Sequence, residues 1–259
     1  MGFHSPKEIA EITMENGIKK ANMPLINMIL LGFLAGAYIS VGFLLDIRVT
    51  AGLPTEIWGA FGSFLGAAVF PVGLVLVLLA GGELLTGNMM AVAVALFSGK
   101  VSFGKLISNW VIILITNFIG AICVAYFFGH VVGLTESAPF LEKTVAIAEG
   151  KLNETFMQAF ISAIGCNWLV CLAVWLNYGA TDFASKILAI WFPIMAFVAI
   201  GFQHVVANMF VIPAAIFAGH FTWADYFGNF VPVVLGNIVG GAIFVGLIYW
   251  ITYLRKTQA

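Results

Sequence analysis

The chain has 259 residues, of which 62% are hydrophobic and 9% charged, with a formal net charge of −1 and a mean hydropathy of +1.06. So little polar surface cannot cover a water-soluble globule, and the chain reads as an all-α integral membrane protein with no nucleic-acid partner. Cys123, Cys166 and Cys171 all fall in apolar runs, without disulfide or metal-ligand spacing, so neither a metal nor a cofactor is expected.

Residues 1–22 form the first unit. Lys7, Glu8, Glu11 and Glu15 stand where a signal peptide would be apolar. Ser5-Pro6-Lys7-Glu8 has the pattern of a capped helix start, with Ser at N-cap, Pro at N1 and Glu at N3. Ala10, Met14, Ile18 and Ala21 recur at helical spacing, which predicts an amphipathic helix over 6–21 on the cytoplasmic face. Residues 23–259 form a single transmembrane domain. Six spans fit at roughly 23–45, 58–97, 104–133, 155–177, 187–219 and 226–254, the second and fifth interrupted. With the termini inside, Lys7, Lys19, Lys20, Lys100, Lys105, Lys186, Arg255 and Lys256 are cytoplasmic against Arg48, Lys143 and Lys151 outside. That bias obeys the positive-inside rule and predicts a multi-pass protein of the cytoplasmic (inner) membrane with both termini cytoplasmic.

The interruption of the second span lies at Gly-Gly-Glu-Leu-Leu-Thr-Gly-Asn (81–88). Apolar residues already suffice to cross by residue 80, yet they resume at 89 and stop near 97, a half-span of only ~13 Å at about 1.5 Å per residue. Backbone groups freed in such a break must be buried in protein or line a wet cavity. Gln-His-Val-Val-Ala-Asn (203–208) interrupts the fifth span in the same way. Asn88 and Asn208 stand just before the resuming helices, where each is predicted to be an N-cap. Two half-helix N-termini aimed inward would favour an anion without a buried cation. Ionisable groups at membrane depth are few: Glu83, predicted to hold loop N–H groups, and His204, a candidate transport residue with Gln203 beside it. Phe70, Leu74, Val170 and Phe197 lie a turn or more from the breaks and are candidates to pinch a path.

Residues 88–120 and 208–240 match at a constant offset of 120, with identities at Asn88/Asn208, Met89/Met209, Phe97/Phe217, Gly99/Gly219, Asn109/Asn229, Asn117/Asn237 and Gly120/Gly240. Six of the chain's twelve asparagines sit in those pairs, and asparagine is scarce in hydrocarbon, so the matches mark an internal repeat. The copies run from about 23 to 133 and 155 to 254. Three spans per copy is an odd number, so the predicted repeat is inverted, with a solute site at the midplane between its two breaks.

The strings Gly-Glu-Leu-Leu-Thr-Gly-Asn (82–88), Cys-Asn-Trp-Leu-Val-Cys-Leu-Ala-Val-Trp (166–175) and Phe-Gln-His-Val-Val-Ala-Asn-Met-Phe (202–210) resemble the formate/nitrite transporter family. The resemblance spans essentially the whole chain. It implies a homopentamer of aquaporin-like protomers, each with its own pore. By matching positions it implies that Thr86 and His204 form the polar pore centre, with Asn167 nearby and Lys151 in the outer vestibule. It further implies an outer constriction of Phe70, Leu84 and Phe197 and an inner one of Leu74, Leu85 and Val170. Two departures favour the family's hydrosulfide branch: Gln203 where many formate and nitrite members carry Glu, and Leu85 where many carry an aromatic.

The function expected is a channel, not an enzyme, passing small monovalent anions, with hydrosulfide first and formate and nitrite close behind. Lys151 and the half-helix N-termini would concentrate the anion, two apolar rings would strip its water, and Thr86 and His204 would offer hydrogen bonds between them. With no carboxylate beside it, His204 is expected to rest neutral and to lend a proton in transit. Two other readings fit the same residues. One is a proton-coupled symporter. The other is an aquaporin-like pore for neutral solutes, although paired Asn-Pro-Ala motifs are absent.

Overall fold

A computed structural model describes residues 2–255, so Lys256 lies outside the described residues. Ten long helices build the fold among the described residues. Ser5 caps α1 (Pro6–Ala21) in a full capping box with Glu8. Helices α2 (Leu25–Thr50), α3 (Phe61–Gly81), α5 (Phe103–Val131), α7 (Phe156–Gly179), α8 (Phe183–Ile200) and α10 (Trp223–Leu254) are each long and apolar enough to cross a bilayer. The half-length helices α4 (Leu85–Phe97) and α9 (Val205–Phe217) follow α3 and α8, and α6 (Phe140–Leu152) precedes α7. Large apolar side chains such as Ile26, Leu30, Phe64, Phe103, Phe127 and Phe192 stay exposed on the outer faces, the arrangement of a protein whose solvent is hydrocarbon.

The packing explains why α1 needs an apolar face. Ile9, Ala10, Thr13, Gly17 and Ala21 are buried against α4 and α7, and a Cβ on Gly17 would fall 1.9 Å from the Ala91 carbonyl oxygen. The hydrophobic stripe therefore meets protein.

Both breaks are shorter than the sequence suggests. Only Gly82–Leu84 and Gly201–His204 leave the helix, because α4 and α9 begin at Leu85 and Val205. Each opens at a glycine in the left-handed region, Gly81 at φ 111° and Gly201 at φ 88°, where a side chain would be strained.

Hydrogen bonds repeat across the two halves. Asn117 Oδ1 accepts from Leu85 N at 2.9 Å, and its Nδ2 donates to Gly32 O and Glu83 O. Asn237 Oδ1 accepts from Val205 N at 2.9 Å, and its Nδ2 donates to Ala163 O and Gln203 O. Upstream of the breaks the partners correspond at an offset of 131 rather than 120: Asn109 donates to Lys20 O, and Asn229 to Lys151 O. Thr13 and Thr144 match at that offset, both buried and both bonded to the carbonyl four residues back. Helix α6 is thus the counterpart of α1, and each ends on a lysine followed by one last residue.

Candidate functional site

The two breaks meet. Thr86 Oγ1, in the first turn of α4, lies 3.0 Å from His204 Nε2, and both residues are buried. His204 is itself the N-cap of α9, its Nδ1 accepting from Ala207 N at 3.1 Å. A ring nitrogen that accepts carries no proton, so in this network the neutral ring holds its hydrogen on Nε2 and donates it to Thr86. The Thr86 hydroxyl hydrogen is then free to point elsewhere. One proton-bearing unit thereby joins both halves of the chain.

Phe197 stacks on His204, with ring centroids 5.7 Å apart, and Phe70 meets Phe197 edge-on at 5.7 Å. Phe70, Phe197 and His204 line one end of a cavity of about 350 Å³ whose wall also carries Lys143, Lys151 and Asp46. Beyond them lies a space of about 10 Å³ bounded by Phe70, Leu74, Leu84, Val170, Phe197 and His204. Leu74 and Leu84 also border a further small cavity, reaching Lys20, Gly87, Val174 and Tyr178 on the α1 side. A discontinuous path thus runs from α6 to α1, narrowest where aromatic and aliphatic side chains close on the histidine. Leu85 borders none of these cavities; its side chain is buried in the core and its amide is held by Asn117.

Two sequence expectations are corrected. Asn88 and Asn208 are not N-caps, because the helices start three residues before them, at caps Leu84 and His204. Their amides instead tie each half-helix to its break and to the next span. Asn88 Nδ2 donates to Glu83 Oε2 at 2.9 Å and Asn109 Oδ1 at 3.0 Å; Asn208 Nδ2 donates to Gln203 Oε1 at 2.7 Å and Asn229 Oδ1 at 2.8 Å. Glu83 does not hold loop N–H groups. Its carboxylate takes Asn88 on one oxygen and the Lys20 ammonium on the other, at 2.7 Å.

Asn167 stands behind the path, where its Nδ2 donates to Thr86 O at 3.3 Å and Asn237 O at 2.7 Å, so it braces both repeats. Lys151 Nζ donates to Gly201 O at 2.7 Å and Phe202 O at 3.0 Å, fixing the second break while it lines the cavity. Burial pushes its ammonium below the usual lysine range. Sequence reasoning missed Lys20, whose partner is 63 residues away. The signal was the Thr13/Thr144 and Lys20/Lys151 correspondence, hidden by the change of offset.

A formate/nitrite transporter family model matches residues 7–251. An uncharacterized transporter of Bacillus subtilis (strain 168), YrhG, is 64% identical over 100% of this chain and 97% of its own length. The formate channel BtFdhC of Bacillus thuringiensis is 60% identical over 99% and 98%. A solved pentameric formate channel with formate bound superposes with a TM-score of 0.78 at 33% identity, over 92% of this chain and 99% of that one. The chain belongs to the formate/nitrite transporter family, a family of membrane channels and transporters and not of enzymes.

Proposed function

We propose that the protein is a channel for small monovalent anions, formate foremost, with one pore in each protomer of a homopentamer in the cytoplasmic membrane. The two copies of the repeat lie inverted in the bilayer, α1 and both termini inside and α6 outside. The observation that carries this reading is the path that narrows from the Lys151 cavity onto the bonded Thr86–His204 pair.

An anion entering from outside is drawn by Lys151 and then pressed between Phe70 and Phe197, where only a small, shed-water ion fits. At the centre, His204 and Thr86 exchange hydrogen bonds with it, and a proton taken from the vestibule water and relayed by His204, whose ring returns to its neutral form as the proton leaves with the anion, lets it pass Leu74, Leu84 and Val170 as a neutral acid at lower desolvation cost. Lys20 is the inner counterpart of Lys151, spent in part on neutralising Glu83. Formate ranks first because a relative 60% identical and a solved neighbour both carry it by name. Hydrosulfide is the second reading, favoured by the neutral Gln203 beside the histidine.

Purified protein in proteoliposomes tests this with a panel of formate, hydrosulfide, nitrite and lactate. Formate flux well above lactate, with currents beyond carrier turnover, is the expected result. No flux of any of the four would overturn it. Currents limited to carrier turnover would assign a proton-coupled symporter.

A further inference from the structure

The outer cavity holds a carboxyl group with no assigned task. Asp46 sits near the end of α2, 7% exposed, in a helix with 26 mostly apolar residues. Neither ion pair among the described residues, Lys20–Glu83 or His130–Glu136, includes it. Its one side-chain partner is the Thr50 hydroxyl, 3.3 Å from Oδ1, and that hydroxyl also donates to the Asp46 carbonyl oxygen at 2.7 Å. The niche is shaped for the group. A Cβ on Gly66 would fall 2.1 Å from Oδ1 and 3.2 Å from Oδ2, so glycine in α3 is what admits a carboxyl here.

Asp46 shares the cavity wall with Phe43, Phe70 and His204. The charged or titratable groups facing that cavity are Lys143 and Lys151 from α6, Glu154 just after it, and His204 from the second break; α3 contributes Gly62, Ser63 and Phe70, none of them titratable. Lys151 is occupied by the Gly201 and Phe202 carbonyls. A fixed negative charge at this place would repel the anions that the cavity is proposed to collect, whereas a protonated carboxyl is a hydrogen-bond donor to them. An ionisable residue kept within a membrane span and outside any ion pair is a functional candidate by default.

We propose that Asp46 is a second protonatable group on the permeation path, a specificity-determining residue that admits small anions from the outer side when its carboxyl is protonated and resists them when it is ionised. It acts ahead of the Phe70–Phe197 constriction and responds to outside pH alone. This inference rests on the anion-channel reading.

The test is flux of formate with outside and inside pH varied separately, for the parent, Asp46→Asn and Glu154→Gln, each first checked for native oligomer size. Asp46→Asn keeps the shape and the donor but loses the charge. It is expected to raise inward flux at neutral outside pH several-fold, toward the parent's acid value, while leaving the response to inside pH intact. Glu154→Gln, which removes a carboxyl from the same cavity wall, is expected to shift the flux level while leaving the shape of the outside-pH profile as in the parent. A parent that carries no anion sinks the channel reading itself. A conducting parent whose outside-pH profile is unchanged by Asp46→Asn, or is changed by Glu154→Gln instead, overturns the role of Asp46. Should Asp46→Asn fail to assemble, infrared difference spectra between acid and neutral pH decide: a protonated-carboxyl band of the parent that moves on the conservative Asp46→Glu substitution would support the proposal, and no such band, or one that Asp46→Glu leaves unmoved, would contradict it.

Discussion

The two breaks share one scaffold and differ in what stands on it. Glu83 and Gln203 occupy the same slot, and each accepts from the matching asparagine, Asn88 or Asn208. In the first break the remaining carboxylate oxygen is met by the Lys20 ammonium. In the second the amide nitrogen of Gln203 donates to the Lys151 carbonyl at 3.0 Å, and the Lys151 ammonium is left to bond two loop carbonyls and face the cavity. The asparagine frame therefore builds a break, and charge is an addition that sets what each lysine is free to do. The same contrast holds at the tips, where one break offers a hydroxyl and the other an imidazole.

The largest effect is expected from the frame. Asn117→Ala takes the side-chain partner from the Leu85 amide and the Glu83 carbonyl of the first break, and Asn237→Ala does the same to Val205 and Gln203 in the second. At about 1–3 kcal/mol for each of the two orphaned buried groups, either substitution should cost about 2–6 kcal/mol, and both should lower the thermal stability of the solubilised protein to a similar extent. A large loss from one and none from the other would break the equivalence of the two halves.

A smaller effect sharpens the difference between them. Lys20→Met strands Glu83, and removing one partner of a buried pair costs about 3–5 kcal/mol, with the lower end apt here because the lysine is 18% exposed. Adding Glu83→Gln makes the first break resemble the second and should restore most of that stability. A double variant no more stable than Lys20→Met would show that the lysine matters for packing alone.

Smaller again is the effect of the outer lysine on flux. Lys151→Gln should slow anion uptake several-fold at low salt and much less at 0.15 M, where the Debye length has fallen to about 8 Å. Equal loss at both would mean that its bonds to Gly201 and Phe202 carry the whole effect. Because burial lowers its pKa, Lys151 loses its charge as pH rises, before an ordinary lysine near about 10.4 would. Parent flux should therefore fall on the alkaline side, and Lys151→Arg should remove that fall.

Hydropathy and the spacing of asparagine made the spans, the two interruptions and the duplication legible, because each depends on residue types that hydrocarbon tolerates or rejects. Thr86 is legible through family resemblance and His204 through its depth, but the bond between them is not. What stayed hidden depends on contacts between distant segments. Asn88 and Asn208 look like caps in a string of letters, but their partners Asn109 and Asn229 lie a whole helix away. The Lys20–Glu83 pair was invisible because α1 reads as a membrane-surface helix until it is seen packed on α4 and α7. Asp46 carries no mark in the sequence, since only the glycine opposite it in α3 reveals a niche.

The most direct measurement of the pore centre is the pH profile of formate flux for His204→Asn, with inside and outside pH changed together from acid to neutral. Asparagine keeps an acceptor to cap α9 and a donor toward Thr86 but has no proton to lend. The variant is expected to assemble and to pass formate with a profile much flatter than the parent's, whether or not Asp46 is intact. A variant that conducts with the parent's full pH dependence would contradict the proton-lending role and leave His204 as the structural link between the two breaks.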